Sequence, residues 1–216
     1  MLRKNRGEIE WLEFNLLQGK GVKHGVYLRN ENFTFPESVL YFNQVHGKEV
    51  AVVSNRDTIF AADGGMTKTK DLTLAIRHAD CQVAIFYDPV LEVIATVHAG
   101  WRGLVQNIYK ETVLKLEGLF HVNPENLIVC IGPSLEPEHS EFVNYKQEFP
   151  EHFWRFQIKP NYFSLWDIAK FQLKELGVSS QNIEIAGIGT YSNPTDFYSY
   201  RRSKDTLRNI TIAALI

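Results

Sequence analysis

The feature that most restricts the fold is a succession of short apolar segments that fills most of the first hundred residues. Turn residues such as His46-Gly47 and Asp88-Pro89 separate these segments. Short runs rich in Val, Ile, Leu, Phe and Tyr between turn residues are typical of β-strands. The sequence therefore predicts strands at 9–15, 24–29, 39–45, 48–53, 72–77, 83–87 and 93–98.

The period of the apolar residues changes after Trp101. Leu104, Ile108 and Leu116 recur at helical spacing, which predicts one amphipathic helix over 102–118.

A second helix is predicted further along the chain. Ser164 or Asn161 is a suitable start and Gly177 a suitable stop, so we place this helix at 164–176. The remaining predicted elements are a single turn at Asn123-Pro124 and strands at 127–131, 183–188 and 209–215.

This order of elements predicts the fold class. Strands come first and helices later, without strict βαβ alternation, so we expect an α+β protein with a mixed or antiparallel sheet. The 216 residues contain no internal repeat and no linker, and they suit one domain over 1–216.

Composition excludes several classes of function. The chain has 23 Lys and Arg residues and 25 Asp and Glu residues. This balance excludes binding of nucleic acid through a broad positively charged surface. No apolar run reaches the roughly 18 residues of a membrane span, and no signal-peptide core is present, so we expect a cytoplasmic protein without membrane partners. The two cysteines, Cys81 and Cys130, indicate no disulfide framework. A monomer and a small homo-oligomer both remain open.

Three metal-ligating side chains end predicted strands. His46, Cys81 and His98 each precede a turn or a change of element, so they can converge on one sheet edge. Two imidazoles and one thiolate suit Zn²⁺, and three protein ligands leave a fourth position for water or substrate. Their spacing matches no local metal motif, so the pattern alone indicates this site only weakly.

Carboxylates close to these ligands leave the proton-transfer group open. Asp80, next to Cys81, either orients a ligand imidazole or holds the turn. Asp63, Asp80 and Glu138 all remain candidates for a general base.

Three arginines follow aromatic residues. Arg102 comes directly after Trp101, and Arg201 and Arg202 follow an aromatic segment at 197–200. Guanidinium groups pair with phosphate and aromatic faces stack on purines, although surface salt bridges and core packing explain these residues equally well.

Six segments occur in an order that characterises one family. They are Gln44-Val45-His46-Gly47, Asp63-Gly64-Gly65-Met66-Thr67, Ala79-Asp80-Cys81, His98-Ala99-Gly100-Trp101-Arg102-Gly103, Ile131-Gly132-Pro133 and Phe197-Tyr198-Ser199-Tyr200-Arg201-Arg202. The chain thus resembles the YfiH/YlmD-like family, whose members have been described as multicopper polyphenol oxidases or laccase-domain proteins.

The resemblance implies a fold and a site. The family's fold is a four-layer α/β/β/α sandwich with mixed sheets, shared with bacterial deamidating toxins. Its His, Cys and His zinc ligands correspond to His46, Cys81 and His98, and with Asp80 these form the expected catalytic set. Arg29 matches the family's N-terminal arginine, which adds it to Arg102, Arg201 and Arg202 as a candidate for binding substrate.

The resemblance also implies an activity. The family is described as zinc enzymes that phosphorolyse adenosine, inosine and methylthioadenosine and deaminate adenosine, so a purine nucleoside and phosphate are the expected partners. Three alternatives stay open: an amidase or editing factor for peptidoglycan precursors, a copper-dependent polyphenol oxidase, and a metal-binding protein with little catalysis.

The chain departs from the family pattern at several positions. Glu138 and His139 stand where the family often has two cysteines, and Gln82-Val83 lacks the usual proline after the metal cysteine. The tail from Arg201 to Arg208 also differs. The missing cysteines argue against a multicopper site, and the altered tail leaves the choice of substrate open.

Overall fold

The computed structural model describes residues 1–30, 39–56 and 60–216, which form fourteen strands and five α-helices. The strands are β1 (Leu2–Arg6), β2 (Ile9–Glu13), β3 (Val22–Tyr27), β4 (Val39–Tyr41), β5 (Ala51–Val52), β6 (Gly64–Thr67), β7 (Thr73–His78), β8 (Gln82–Asp88), β9 (Val93–Ala99), β10 (Ile128–Ile131), β11 (Gln157–Lys159), β12 (Tyr162–Phe163), β13 (Ile183–Ile185) and β14 (Asn209–Leu215). The helices are α1 (Trp101–Val105), α2 (Ile108–Phe120), α3 (Tyr145–Glu148), α4 (Leu165–Glu175) and α5 (Tyr200–Ser203). Within the described ranges, none of the helices has both the length and the apolar character that crossing a bilayer requires.

Twelve of these strands form two sheets, each with six described strands. The first has the order β1-β2-β3-β14-β7-β4 and the second the order β13-β10-β8-β9-β6-β5. Both are mixed, since β4 runs parallel to β7 in the first sheet, and β5 and β13 run parallel to β6 and β10 in the second. The expected α+β class with mixed sheets is confirmed.

Strand β9 shows how the core is layered. Its side chains alternate, so that Val93, Ala95 and Val97 pack with the helices while Ile94 packs with residues of the first sheet. Both faces are buried, because α2 and α4 cover one and the first sheet covers the other.

The predicted helix over 102–118 is two helices. Asn107 interrupts the helical hydrogen bonds because it adopts a left-handed conformation with φ of 58°. Its side chain caps α2 by accepting a hydrogen bond from the Lys110 backbone N–H. The second predicted helix is confirmed as α4, capped by Ser164, with Gly177 at φ of +86° shortly after its end.

Four described strands lie outside the sequence predictions: β1, β6, β11 and β12. β1 reads LRKNR and is exposed along its whole length, so it has no apolar pattern. β6 contains Gly64 and Gly65 and is fully buried. A Cβ on Gly64 would overlap the carbonyl oxygen of Thr96 and lie 2.7 Å from the Cα of Val97, so the close approach of β9 requires glycine.

A candidate metal centre between two cavities

Two of the three predicted ligands lie where the chain passes from one sheet to the other. His46 belongs to the connection from β4 in the first sheet to β5 in the second, and Cys81 to the short connection from β7 to β8. His98 lies near the end of β9, beside β8 in the second sheet. Because the crossings meet at this end of β9, residues far apart in sequence come together.

The three side chains form one cluster. Their ligand atoms all lie within 4.8 Å of one another. The His46 and His98 rings meet edge to face, with centroids 4.9 Å apart. His46 is exposed, Cys81 is half-buried and His98 is buried, so the cluster is anchored on one side and open on the other.

Gly100 lets the backbone pass close over this cluster. A Cβ at this position would lie 3.1 Å from Sγ of Cys81, 3.6 Å from His46 and 3.7 Å from His98. A larger residue would therefore press on all three ligands, so steric contact explains why glycine occupies position 100.

Asp63 holds two of the ligands. Its buried carboxylate lies 2.9 Å from Nδ1 of His98, which leaves Nε2 of that ring for a metal. The same carboxylate accepts hydrogen bonds from the backbone N–H groups of His46 at 2.9 Å and Gly47 at 2.6 Å. These bonds stabilise the loop in which His46 has a φ of 59°.

Electrostatics couples these groups. Burial alone would raise the pKa of Asp63, but hydrogen bonds from His98, Gly47 and His46 outweigh it and lower that pKa below its ordinary value. Burial alone would lower the pKa of His98, but Asp63 and Cys81 raise it to about 9. Burial lowers the pKa of His46, and the positive charges of His98, Arg102 and Arg208 lower it further against the opposing effect of Asp63.

The donor set fits zinc. Two imidazole nitrogens and one thiolate sulfur are ligands that zinc prefers, and three protein ligands with one open side are typical of a catalytic site. The described residues contain one such group of three ligand side chains, fewer than several copper ions would need.

Asp80 contacts the C-terminal segment. Its carboxylate accepts hydrogen bonds from the Thr190 hydroxyl at 2.7 Å and from the Arg201 backbone N–H at 2.6 Å. In the described structure the carboxylate that contacts a ligand imidazole is that of Asp63. Of the two roles considered for Asp80, these contacts favour holding the turn, where Asp80 has a φ of 84°.

Two cavities adjoin the cluster. The first, of about 560 Å³, is lined mainly by residues with polar side chains: Asn43, Gln44, His46, Arg77, His78, Ala79, Cys81, His98, Tyr200, Thr206 and Arg208. The second, of about 350 Å³, is more apolar and is lined by His46, Ala79, Asp80, Cys81, Ala99, Gly100, Trp101, Arg102, Leu135, Phe142, Leu165, Tyr200, Arg201 and Lys204. His46, Ala79, Cys81 and Tyr200 belong to both, so the cluster lies between them.

The four predicted substrate arginines separate into two pairs. Arg102 and Arg201 line the second cavity, and the Arg102 guanidinium lies 4.2 Å from the centroid of the Trp101 ring. Arg202 donates instead to the carbonyl oxygens of Thr190, Tyr191 and Phe197, at 2.7 to 2.8 Å. Arg29 lies over the Tyr198 ring at 5.0 Å, and neither Arg29 nor Arg202 lines either cavity.

Sequence reasoning missed Arg77 and Arg208 in the first cavity, as well as the imidazole-orienting contact of Asp63. Arg77 and Arg208 are brought together because Ile210 of β14 pairs with Arg77 of β7, a long-range register that no local motif signals.

His139 lies apart from the cluster. Its ring stacks on Tyr191 with centroids 4.0 Å apart, and Nδ1 lies 3.0 Å from the Glu136 carboxylate. Neither His139 nor Glu138 lines either cavity. Cys130 is fully buried in β10.

The sequence places the chain in a known family, and solved structures share its fold. A family model described as multi-copper polyphenol oxidoreductase laccase matches residues 20–216, so the chain belongs to this family. It is also similar to solved structures. YlmD from Geobacillus stearothermophilus has a TM-score of 0.85 and is 20% identical, and the match covers 99% of this chain and 98% of that one. The Bacillus licheniformis protein YfiH has a TM-score of 0.84, 20% identity and 96% coverage of both chains. The resemblance to the YfiH/YlmD-like family is confirmed.

Three sequence relatives share one functional name. Purine nucleoside phosphorylase RC0672 of Rickettsia conorii is 32% identical over 180 residues, covering 77% of this chain and 72% of the relative. Purine nucleoside phosphorylase YlmD of Bacillus subtilis is 29% identical over 201 residues, covering 85% and 72%. A purine nucleoside phosphorylase of Bacteroides thetaiotaomicron is 30% identical over 156 residues, covering 68% of this chain but only 58% of that protein.

Proposed function

We propose that this protein is a zinc-dependent purine nucleoside phosphorylase that acts on adenosine, inosine and methylthioadenosine and also deaminates adenosine. The observation that carries the proposal is the position of the His46, Cys81 and His98 cluster between a polar cavity and an aromatic one. The names of the relatives support the same activity.

The cluster supplies the metal site. His46, Cys81 and His98 would hold the ion, and zinc, when bound, supplies a Lewis acid that polarises an oxygen of substrate or water. Asp63 keeps the His98 ring in one orientation and one tautomer by accepting from Nδ1. Because these groups are fixed by hydrogen bonds, little reorganisation is needed when substrate binds.

The second cavity suits a purine base. Trp101, Phe142 and Tyr200 contribute aromatic side chains to its lining, and Leu135 and Leu165 add apolar surface. Planar heteroaromatic rings stack on such faces and leave water when they do so. Arg102 and Arg201 line the same cavity, where they can bind ribose oxygens.

The experiment is turnover of adenosine by purified protein, with and without phosphate, after its metal content has been measured. We expect about one zinc per chain, adenine and ribose 1-phosphate when phosphate is present, and inosine from the deamination branch. Bound zinc without any purine product would overturn the proposal and favour the peptidoglycan amidase.

The two cysteines provide a matched pair of variants. Cys81→Ala removes a ligand and should abolish metal retention and activity together, whereas Cys130→Ala changes a buried strand residue away from the cluster and should retain both. Full activity of a metal-free Cys81→Ala protein would contradict the mechanism.

A further inference from the structure

We propose that the first cavity is a subsite for a phosphate group, bound by Arg77 and Arg208. This inference rests on the proposed function and deepens it, because it places the anionic co-substrate in the polar cavity and leaves the aromatic cavity to the base.

Both cavities are lined by cations, but only the lining of the second includes a carboxylate. The residues that line the first include Arg77 and Arg208, the amides of Asn43 and Gln44 and the hydroxyl of Thr206, but no aspartate or glutamate. The second also has cations, Arg102, Arg201 and Lys204, but it contains the carboxylate of Asp80 and has a largely apolar wall. A phosphate dianion is favoured where cations and hydrogen-bond donors converge without a competing carboxylate.

The strand register brings the two arginines together. Arg77 of β7 pairs with Ile210 of β14, and Arg208 is two residues before Ile210. In an antiparallel pair, the residue two positions from the direct partner lies on the same face as a diagonal neighbour, about 7–8 Å away. Arg208 directly precedes β14, so the two arginines occupy diagonal positions at one end of the β7–β14 pair.

Local contacts hold both arginines at the cavity. The Gln44 side chain donates to the Arg77 carbonyl at 2.8 Å and accepts from its backbone N–H at 3.0 Å, which fixes the strand from which Arg77 projects. The Arg208 Nη1 atom donates to the carbonyl oxygens of Asp205 at 3.0 Å and Leu207 at 2.8 Å. Its Nε and Nη2 atoms remain as the donors that can bind an anion.

The location fits the chemistry. A nucleoside with its base in the second cavity and phosphate in the first would have its glycosidic carbon beside the shared residues His46 and Cys81. In phosphorolysis an oxygen of hydrogen phosphate bonds to C1′ as the bond from C1′ to the purine nitrogen breaks. The purine takes up, overall, the proton that hydrogen phosphate gives up, so no other reactant is needed.

The first test is direct binding of inorganic phosphate to the zinc-loaded protein, measured by calorimetry. Arg77→Gln and Arg208→Gln should each weaken binding about tenfold or more, since each removes a charge-assisted contact. Arg6→Gln removes the same charge from the exposed strand β1 and should leave binding unchanged. Arg77→Lys keeps the charge and should restore part of the affinity.

A parallel titration with adenosine 5′-monophosphate distinguishes free from esterified phosphate. Binding of inorganic phosphate that depends on both arginines supports a co-substrate site, whereas arginine-dependent binding of the monophosphate alone supports a site for a phosphorylated substrate. Equal phosphate affinity in wild type and both glutamine variants, or no binding of either anion, would overturn the subsite. If Arg208→Gln does not fold, Arg77→Gln still tests the subsite, because Arg77 is exposed and its replacement should not disturb folding.

Kinetics separates this proposal from the proposed function. With phosphorolysis present, the variants should raise the KM for phosphate and leave the KM for adenosine nearly unchanged. An unchanged KM for phosphate would reject the subsite while the phosphorylase activity stands. Arginine-dependent phosphate binding without phosphorolysis would support the subsite and reject the activity.

Discussion

Nδ1 of His98 lies 2.9 Å from a carboxylate oxygen of Asp63, and that carboxylate also binds the backbone of the loop that carries His46. One buried side chain thus fixes two candidate metal ligands, His46 on a connection between the sheets and His98 on strand β9. The ligand geometry depends on Asp63 as much as on the ligands themselves.

Asp63→Asn should weaken zinc binding by about 10–100-fold, because an amide replaces one acceptor oxygen with a donor that faces N–H groups. Competition against a chromogenic chelator measures this change. Asp88→Asn is the matched control, since Asp88 is also buried and accepts from backbone N–H groups, those of Val90 and Leu91, away from the cluster. Equal zinc affinities in the two variants would contradict the role of Asp63.

Two glycine substitutions should change stability in opposite directions. Gly64→Ala places a Cβ against the backbone of β9 and should destabilise the fold by about 1–3 kcal/mol. Gly118→Ala lies inside α2 with nothing within 4 Å of the new Cβ and should stabilise it by about 0.5–1 kcal/mol. Chemical denaturation measures both, and a stable Gly64→Ala protein would show that β9 can move away.

Arg202 and Arg102 should differ in what their loss affects. Arg202→Gln removes bonds to three carbonyl oxygens and should cost about 2 kcal/mol or more of stability. Arg102→Gln removes an exposed cavity residue and should leave thermal stability nearly unchanged while lowering kcat/KM. Melting curves and turnover measured on both variants test this difference. Normal stability of Arg202→Gln would refute the structural role of Arg202.

Local sequence patterns predicted most of the fold. The strand at 209–215 matches β14, and the helix at 164–176 matches α4 with its Ser164 cap, because these segments carry both an apolar period and an end signal. The unbroken helix over 102–118 was wrong because Asn107 can cap a new helix within an apolar period. Strand β1 forms by pairing with β2, and nothing in its polar sequence predicts that pairing.

The site was predictable only in part. The motifs named His46, Cys81 and His98, and the cluster in the structure is consistent with that prediction. Which carboxylate holds an imidazole depends on how the connections pack, so Asp63 could not be chosen over Asp80 from sequence. The same applies to Arg77 and Arg208, which become neighbours through the pairing of β7 with β14.

His24 should make stability fall in mildly acidic solution. Its Nε2 accepts from the Phe14 backbone N–H at 2.9 Å, and Nδ1 lies 3.3 Å from the Val22 carbonyl oxygen, an arrangement that a neutral ring with its proton on Nδ1 satisfies. Burial lowers the pKa of His24, partly offset by the bond to Val22 and the charge of Glu13. The unfolded chain therefore takes up this proton at a higher pH than the folded protein does.

The sign of the pH effect follows from this difference. The stability that neutral His24 contributes is fully present above its unfolded pKa of about 6.5 and is lost as pH falls through the lower folded pKa. His24→Gln removes the titration, so its free energy of unfolding should fall less than that of wild type between neutral and mildly acidic pH. Urea denaturation on both sides of about pH 6.5 measures the difference. His152→Gln, at an exposed position, should keep the wild-type slope, and a His24→Gln slope as steep as wild type would show that other groups control the acid response.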